Sequence, residues 1–430
     1  MKKHSKNNIH WRKLDNTAKI FPIISNKKFS NIFRMSVLLT DPIDPNTLEK
    51  AIHETLPIFK AFRVKLKLGF FWYYFETNKK SPKVELEKTY PCKYIDKNKN
   101  NDFLFRVSYY KNKINLEVFH SITDGNGAIE FLKAITYNYI ISYYNLKISQ
   151  NLKNSLNFCS TSNIEDSYIK NYRKDYSAKH NMKKAYNLKG SKLALQATGA
   201  IHGIMNLDTV LNFCRSKKVT ITQYFTSCFI WAIYKENMCE IPTKKPIKIY
   251  LPVNLRKFFN STTTTNFFSF ITAEVNFKEK NFSSFDDLLY FVSTQFKNKL
   301  TKEHLTEKIS SNVSAEKNLF VRLIPLFIKK FGVKIGYIEA SKHHSATLSN
   351  IGTIDILPEF KQYIENFNLL IAPSRAEKMK CSVCSYENSL TISFASSLEN
   401  TNIQKDFFRH LVADGIDVII ESNGVYNENM

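Results

Sequence analysis

A short constellation in this chain has residue types and spacing suited to proton transfer. His120 is followed four residues later by Asp124, with Gly125 immediately after it and Gly127 two residues further on. An imidazole titrates near neutrality. It can take a proton from an attacking hydroxyl or amine and return it to a leaving group, a contribution of about 10²–10⁴ in rate. Burial would keep such a ring neutral and able to accept. Asp124 lies at the wrong offset for a triad partner, because a carboxylate four residues on across a turn points away from the ring. The competing reading is a core histidine beside a turn aspartate.

These side chains need a strand, a turn and a helix to hold them. Ile114, Leu116 and Val118 alternate with Asn115, Glu117 and Phe119, which predicts a half-buried strand. His120 shares the parity of the apolar set and is expected to turn toward the buried face. Asp124-Gly125-Asn126-Gly127 reads as a turn. Ile129, Leu132, Ile135, Thr136, Tyr139 and Ile140 then recur at helical spacing. Upstream, Phe33, Met35, Val37 and Leu39 predict a first strand, and Asp44-Pro45 an N-cap and first helical residue. Gly69 to Phe75, GFFWYYF, predicts an aromatic strand buried on both faces. Phe103 to Tyr109 predicts a strand joined to Ile114–Val118 as an antiparallel hairpin across Lys111-Asn112. The second half predicts strands near Ala197–Met205, Lys248–Val253, Phe267–Phe277, Ala346–Ser349, Phe367–Ile371 and Ser382–Ser396. Its predicted helices are Leu207–Cys214, Ile221–Tyr234 behind a Thr220/Gln223 capping box, Phe285–Leu300, Leu319–Phe331 kinked at Pro325, and Ile403–Ala413. The fold class is α/β with mixed sheets.

At 430 residues the chain exceeds one ordinary core. The expected division is residues 1–150, a polar linker or crossover at 151–185, and residues 186–430. Apolar residues at 43% and aromatics at 14% exclude global disorder. The net charge is +24 with a pI near 9.5. That suits an acidic partner such as phosphates or an acidic protein. The lysines are scattered, however, and no arginine-rich or aromatic RNA-binding signature accompanies them, so nucleic acid is not expected. Of the seven cysteines, Cys214 and Cys228 read as core. Cys381 and Cys384 lie in an extended segment that turns them to opposite sides, with no second pair to complete a zinc site. His343-His344 reads as loop, not metal ligand. Reduced thiols, a basic N-terminus without an apolar core, and no membrane span predict a cytoplasmic protein.

His120-x-x-x-Asp124-Gly125 matches the motif of the chloramphenicol-acetyltransferase-like acyltransferases, and the chain resembles their bacterial alcohol acetyltransferase branch along nearly its whole length. LDNTAKIFP (Leu14 to Pro22) is similar to the family's opening, and GFFWYYFE to its aromatic strand. FRVSYY with INLEVFHSITDGNGAIEFL resembles the active-site hairpin. YLPVNLRKFF (Tyr250 to Phe259) with NFFSF (Asn266 to Phe270) resembles the arginine-bearing segment. TLSNIG (Thr347 to Gly352) resembles a loop at the reaction channel. Phe119 stands where condensation domains usually carry a second histidine, which argues against peptide-bond formation. The plant branch's aspartate-phenylalanine-glycine-tryptophan-glycine motif is absent.

The resemblance implies two chloramphenicol-acetyltransferase-like lobes, each a mixed sheet packed with helices, with an active-site channel between them. It implies transfer of an acyl, typically acetyl, group from a coenzyme A thioester to a hydroxyl or amine. His120 would be the general base, with no covalent intermediate, no metal and no tightly bound cofactor. Asp124 would be structural, paired with an arginine; Arg256 is the candidate, because a planar guanidinium can grip a carboxylate bidentately. Gly125 and Gly127 would permit the turn, and Ser349 and Asn350 are candidate donors to the oxyanion. The alternatives are a donor carried on an acidic acyl carrier protein, or a non-catalytic binding protein of the same fold.

Overall fold

The computed structural model describes residues 10–150, 152, 156, 164–176, 183–239 and 243–425. Cys159 and much of the predicted 151–185 linker lie outside the described residues. The first half runs β1 (Trp11–Lys13), α1 (Phe21–Ile24), β2 (Ile32–Leu39), α2 (Pro45–Thr55), β3 (Val64–Leu68), β4 (Tyr73–Thr77), β5 (Val84–Leu86), β6 (Phe105–Tyr110), β7 (Lys113–Phe119) and α3 (Gly125–Tyr143). The second half contains β8 (Gly199–Asn206), α4 (Leu207–Ser216), α5 (Ile221–Met238), β9 (Ile247–Asn254), β10 (Phe268–Val275), α6 (Phe285–Lys299), α7 (Lys302–Lys317), α8 (Leu319–Leu323) and α9 (Leu326–Ser341). It continues with β11 (Ala346–Thr353), β12 (Ile364–Ile371), β13 (Met379–Tyr386), β14 (Ser389–Ser396), α10 (Asn402–Ala413) and β15 (Ile419–Ser422).

Local sequence rules account for many boundaries. Asp44 caps α2 by accepting from the Thr47 amide at 2.7 Å, with Pro45 first in the helix. Thr220 and Gln223 form a reciprocal capping box on α5. β6 and β7 pair antiparallel through a turn in which Lys111 takes φ 51°. α5 is buried nearly all round, as its apolar sequence predicts.

The sheets are mixed. A five-stranded sheet has the order β12-β2-β7-β6-β5, with only β5 and β6 parallel; a seven-stranded sheet has the order β10-β9-β11-β13-β14-β8-β15, with β11 parallel to both neighbours. α2 and α3 cover the first sheet, where Phe59, Phe62, Phe105 and Phe131 pack as one aromatic cluster. α5 fills the core behind the second. β12 comes from the second half of the chain yet pairs antiparallel with β2, so the first sheet is completed across the two halves. The Ser382 hydroxyl of β13 donates to the Leu369 carbonyl of β12, and Cys384 Sγ lies 3.4 Å from the Phe367 carbonyl. The two sheets therefore meet through β12.

Several expectations need correction. β7 is buried on both faces, not half-buried: Asn115 and Glu117 are as inaccessible as Leu116. Glu117 is tolerated there because it accepts from Arg34, at 3.0 and 2.8 Å, and from Arg106 at 2.9 Å. The GFFWYYF stretch is not a doubly buried strand. Residues 69–72 form a turn, closed by the Gly69 amide on the Trp72 carbonyl at 3.1 Å, with Phe70 and Phe71 exposed. The predicted helix Leu319–Phe331 is two helices, α8 and α9. Proline disfavours the helical conformation in the residue before it, and Ile324 is accordingly extended. The helix Lys302–Lys317 was not predicted: its buried face is a single stripe, Leu305, Ile309 and Val313, interleaved with the polar Thr306 and Ser310. Ser382–Ser396 is a hairpin of β13 and β14 around Glu387-Asn388.

Candidate active site

α3 begins at Gly125, not at Ile129, and the predicted turn is its first helical turn. Asp124 is the N-cap: its Oδ1 accepts from the amides of Asn126 at 3.1 Å and Gly127 at 3.2 Å. The same carboxylate accepts from Arg256 through Nη1 on Oδ2 (2.8 Å) and Nη2 on Oδ1 (3.1 Å), and from the Phe267 amide at 2.9 Å. Arg256 also donates from Nε to the Thr263 carbonyl and from Nη2 to the Thr265 carbonyl, both at 2.7 Å. One ion pair thus ties the start of α3 to the 254–267 segment of the second half, and Asp124 spends its acceptor capacity away from His120.

Gly127 is required for lack of a side chain, not for backbone freedom. A Cβ there would lie 2.3 Å from the Thr264 carbonyl oxygen, whereas one on Gly125 would meet only Ile351 and Met35 at 3.4–3.5 Å. Thr123 Oγ1 also donates to the Thr264 carbonyl, at 2.5 Å, so the residues around the start of α3 close directly on the backbone of the second half at this point.

His120 follows the last residue of β7, its amide held by the Asn31 carbonyl at 3.1 Å. Its ring stacks on Phe21 of α1 (centroids 4.7 Å, 15°) and meets Phe33 edge-on and Phe268 at a tilt. Burial among these rings holds the imidazole below its ordinary pKa; Lys380 adds in the same direction, while Asp124 and Asn266 oppose it.

Nδ1 of His120 lies 3.1 Å from Oδ1 of Asn266, and Nδ2 of Asn266 donates to Oδ2 of Asp15 at 3.1 Å. Asp15 is buried, takes the Ala18 amide on its other oxygen at 2.8 Å, and is pushed up to about 7 chiefly by burial. In its ionised form the Asp15 carboxylate only accepts, which turns the NH₂ of Asn266 toward itself and the carbonyl toward the imidazole. Nδ1 then carries the proton, and the lone pair resides on Nε2. Asn266 and Asp15 stood inside segments matched for their resemblance, but no local pattern marked them out. Tyr168, from the predicted linker, was likewise missed: its hydroxyl bridges the amide and carbonyl of Phe268, at 3.0 and 2.8 Å.

Ser349 and Asn350 lie on β11 and face opposite ways. Leu348 packs into the core behind α5, and Asn350 Nδ2 donates to Thr222 Oγ1 of that helix at 3.0 Å. Asn350 Oδ1 accepts the Gly352 amide at 2.8 Å. Ser349 shares the other face with Ile351, the residue that confronts Gly125 at the start of α3. His343 and His344 lie in the loop before β11; His344 packs on Tyr250 at 4.0 Å. Among the described residues no cluster of three or more His, Cys, Asp or Glu is arranged for a metal.

A cleft of about 240 Å³ opens between the halves, lined in part by Lys27, Lys28, Lys93, Lys192 and Lys378. Ser30 on its wall is the neighbour of Asn31, the residue that holds the His120 amide. Five lysines around one cleft form a positive site beside the imidazole's strand.

No protein-family model matches the chain, and no curated protein matches its sequence. Solved structures do match. TRI101 of F. graminearum, complexed with coenzyme A and T-2 mycotoxin, superposes with a TM-score of 0.61 at 13% identity, covering 95% of this chain and 99% of that one. The starter condensation domain of rhizomide synthetase, in a mutant form complexed with C8-CoA, gives 0.61 at 13% identity, covering 95% and 98%. Polyketide synthase associated protein 5 from Mycobacterium tuberculosis gives 0.60 at 12%, covering 93% and 96%. The chain has the chloramphenicol-acetyltransferase-like fold. Its two lobes are built on the five-stranded and seven-stranded mixed sheets described above, each packed with helices, the first completed by β12 from the second half of the chain. At these identities the likeness is one of fold.

Proposed function

We propose that this protein is an acyltransferase that moves an acyl group, acetyl by its sequence resemblance, from a coenzyme A thioester to a hydroxyl or amine, with His120 as general base. The observation that carries the reading is the imidazole itself: kept neutral by burial, and held through Nδ1 by Asn266 so that Nε2 is the accepting atom. The acceptor's proton passes to Nε2 as its oxygen or nitrogen attacks the thioester carbonyl. The tetrahedral oxyanion collapses, the C–S bond breaks, and the imidazolium returns the proton to the departing thiolate. No enzyme-bound acyl group forms.

Asp124 and Arg256 act as the clamp that holds the two halves around this ring. Ser349 is the better candidate for a hydroxyl donor to the oxyanion, because Asn350 is already engaged with Thr222 and Gly352. The lysine-lined cleft supports a phosphate-bearing donor such as coenzyme A.

The test is thiol release from acetyl-coenzyme A against a panel of alcohols and amines, with wild type and His120→Ala run side by side and folding checked by circular dichroism. Acceptor-dependent release that collapses in the folded variant is expected. Release that survives the substitution removes His120 from the chemistry. If no acceptor supports release, the coenzyme A reading is wrong, and an acyl group presented on a carrier protein becomes the donor to try.

A further inference from the structure

We propose that the outer face of α8 and α9 seats this protein on an anionic phospholipid surface. The inner face of α9 is already occupied. Leu326 is buried with its amide on the Phe70 carbonyl at 2.8 Å, and Lys329 Nζ donates to the Phe71 carbonyl at 3.1 Å and lies 3.7 Å over the Trp72 ring. At about 100° per residue, Phe327, Ile328, Phe331 and Ile335 fall within one arc of about 100°, on the side away from Leu326 and Lys329. Phe327 is 73% exposed, Phe331 70%, and Ile328 and Ile335 are each 53%. α8 adds Leu319, Leu323 and Phe320, the last 82% exposed, and the turn against which α9 starts adds Phe70 and Phe71. An apolar surface built from so many large side chains of adjoining elements marks an interaction site, not scattered exposure.

Charge decides the occupant. From Leu319 to Ile338 there is no acidic residue, while Arg322, Lys330 and Lys334 accompany the apolar arc. A chain of net charge +24 meeting a second copy through this face would bring like charges together. An anionic bilayer offers hydrocarbon for the phenylalanines and headgroups for the lysines, whose stems can lie along the apolar ridge. This is attachment to a surface, not a span: α9 has 16 residues, and no helix among the described residues is long and apolar enough to cross a membrane.

The experiment is flotation of the full chain with vesicles of phosphatidylcholine alone and of phosphatidylcholine mixed with phosphatidylglycerol. Wild type is compared with Phe327→Ser/Phe331→Ser and with Lys330→Glu/Lys334→Glu. The changed residues of the phenylalanine pair are exposed, so folding is retained; circular dichroism checks both variants. Wild type is expected to float with the anionic vesicles, with binding reduced on the order of tenfold in the phenylalanine pair and weakened in the lysine pair. Absence of flotation overturns the proposal. So does flotation unchanged in the phenylalanine pair, which would reflect the general positive charge alone. A dimer seen by light scattering without vesicles and dissociated by the phenylalanine substitutions would also overturn it, assigning the face to self-association.

Discussion

Asn266 presents its carboxamide oxygen to Nδ1 of His120 at 3.1 Å while its amide nitrogen donates to Asp15. The orientation of one amide therefore decides which imidazole nitrogen carries the proton. Asn266→Ala should leave the protein folded, lower kcat for acyl transfer by at least about tenfold, and change KM little, because the residue acts on the base and not on binding. A raised KM with kcat unchanged, measured by steady-state thiol release, would place Asn266 in substrate binding instead.

Asp15 adds a pH dependence. Its carboxyl is raised to about 7 by burial, so it is largely protonated below that pH and ionised above it. Only the ionised form fixes the amide by acceptance alone. The rate of transfer should rise with pH through about 7, above the limb set by the lowered His120. In Asp15→Asn that upper limb should disappear. For stability the sign is opposite: a raised carboxyl favours the folded state at low pH, and its contribution is lost as pH rises from its ordinary value near 4 through about 7. Denaturant titrations of wild type and Asp15→Asn across that window check it.

Direct removal of the base should be the largest kinetic effect. His120→Ala is expected to reduce kcat/KM by about 10²–10⁴ with the fold intact. A single-turnover assay with acetyl-coenzyme A reads this without interference from product release.

The Asp124–Arg256 pair should report on stability before chemistry. Arg256→Ala leaves a carboxylate with little exposure lacking its bidentate partner, a loss on the order of 3–5 kcal/mol. Urea unfolding should show it. If the variant is as stable as wild type, the pair is not the clamp between the halves.

The two glycines at the start of α3 should separate cleanly. Gly127→Ala drives a methyl to 2.3 Å from the Thr264 carbonyl and should destabilise by roughly 1–3 kcal/mol or more. Gly125→Ala meets only ordinary contacts at the first helical position and should be near neutral. Thermal unfolding of the two variants checks the order.

Features under the control of short-range chemistry were legible along the chain. Asp44 and Thr220 announced their helices, because a cap bonds to amides two or three residues away. The β6–β7 hairpin was legible because its strands are joined by a tight turn. The pairing of Asp124 with Arg256 was foreseen through the resemblance and because few groups other than a guanidinium can grip a carboxylate bidentately. The contacts that could not be read this way join residues far apart in the chain. His120 and Asn266 are 146 residues apart, and Asn266 and Asp15 are 251 apart. No periodicity links such positions, and an asparagine in a threonine-rich loop looks like any other. The burial of Glu117 was hidden for the same reason: its alternation with apolar neighbours reads as an exposed face until Arg34 and Arg106 arrive to neutralise it. β12 shows the limit most directly. Its apolar residues predicted a strand, but strand propensity says nothing of which sheet receives it, and pairing with β2 is settled by how the two halves close on each other.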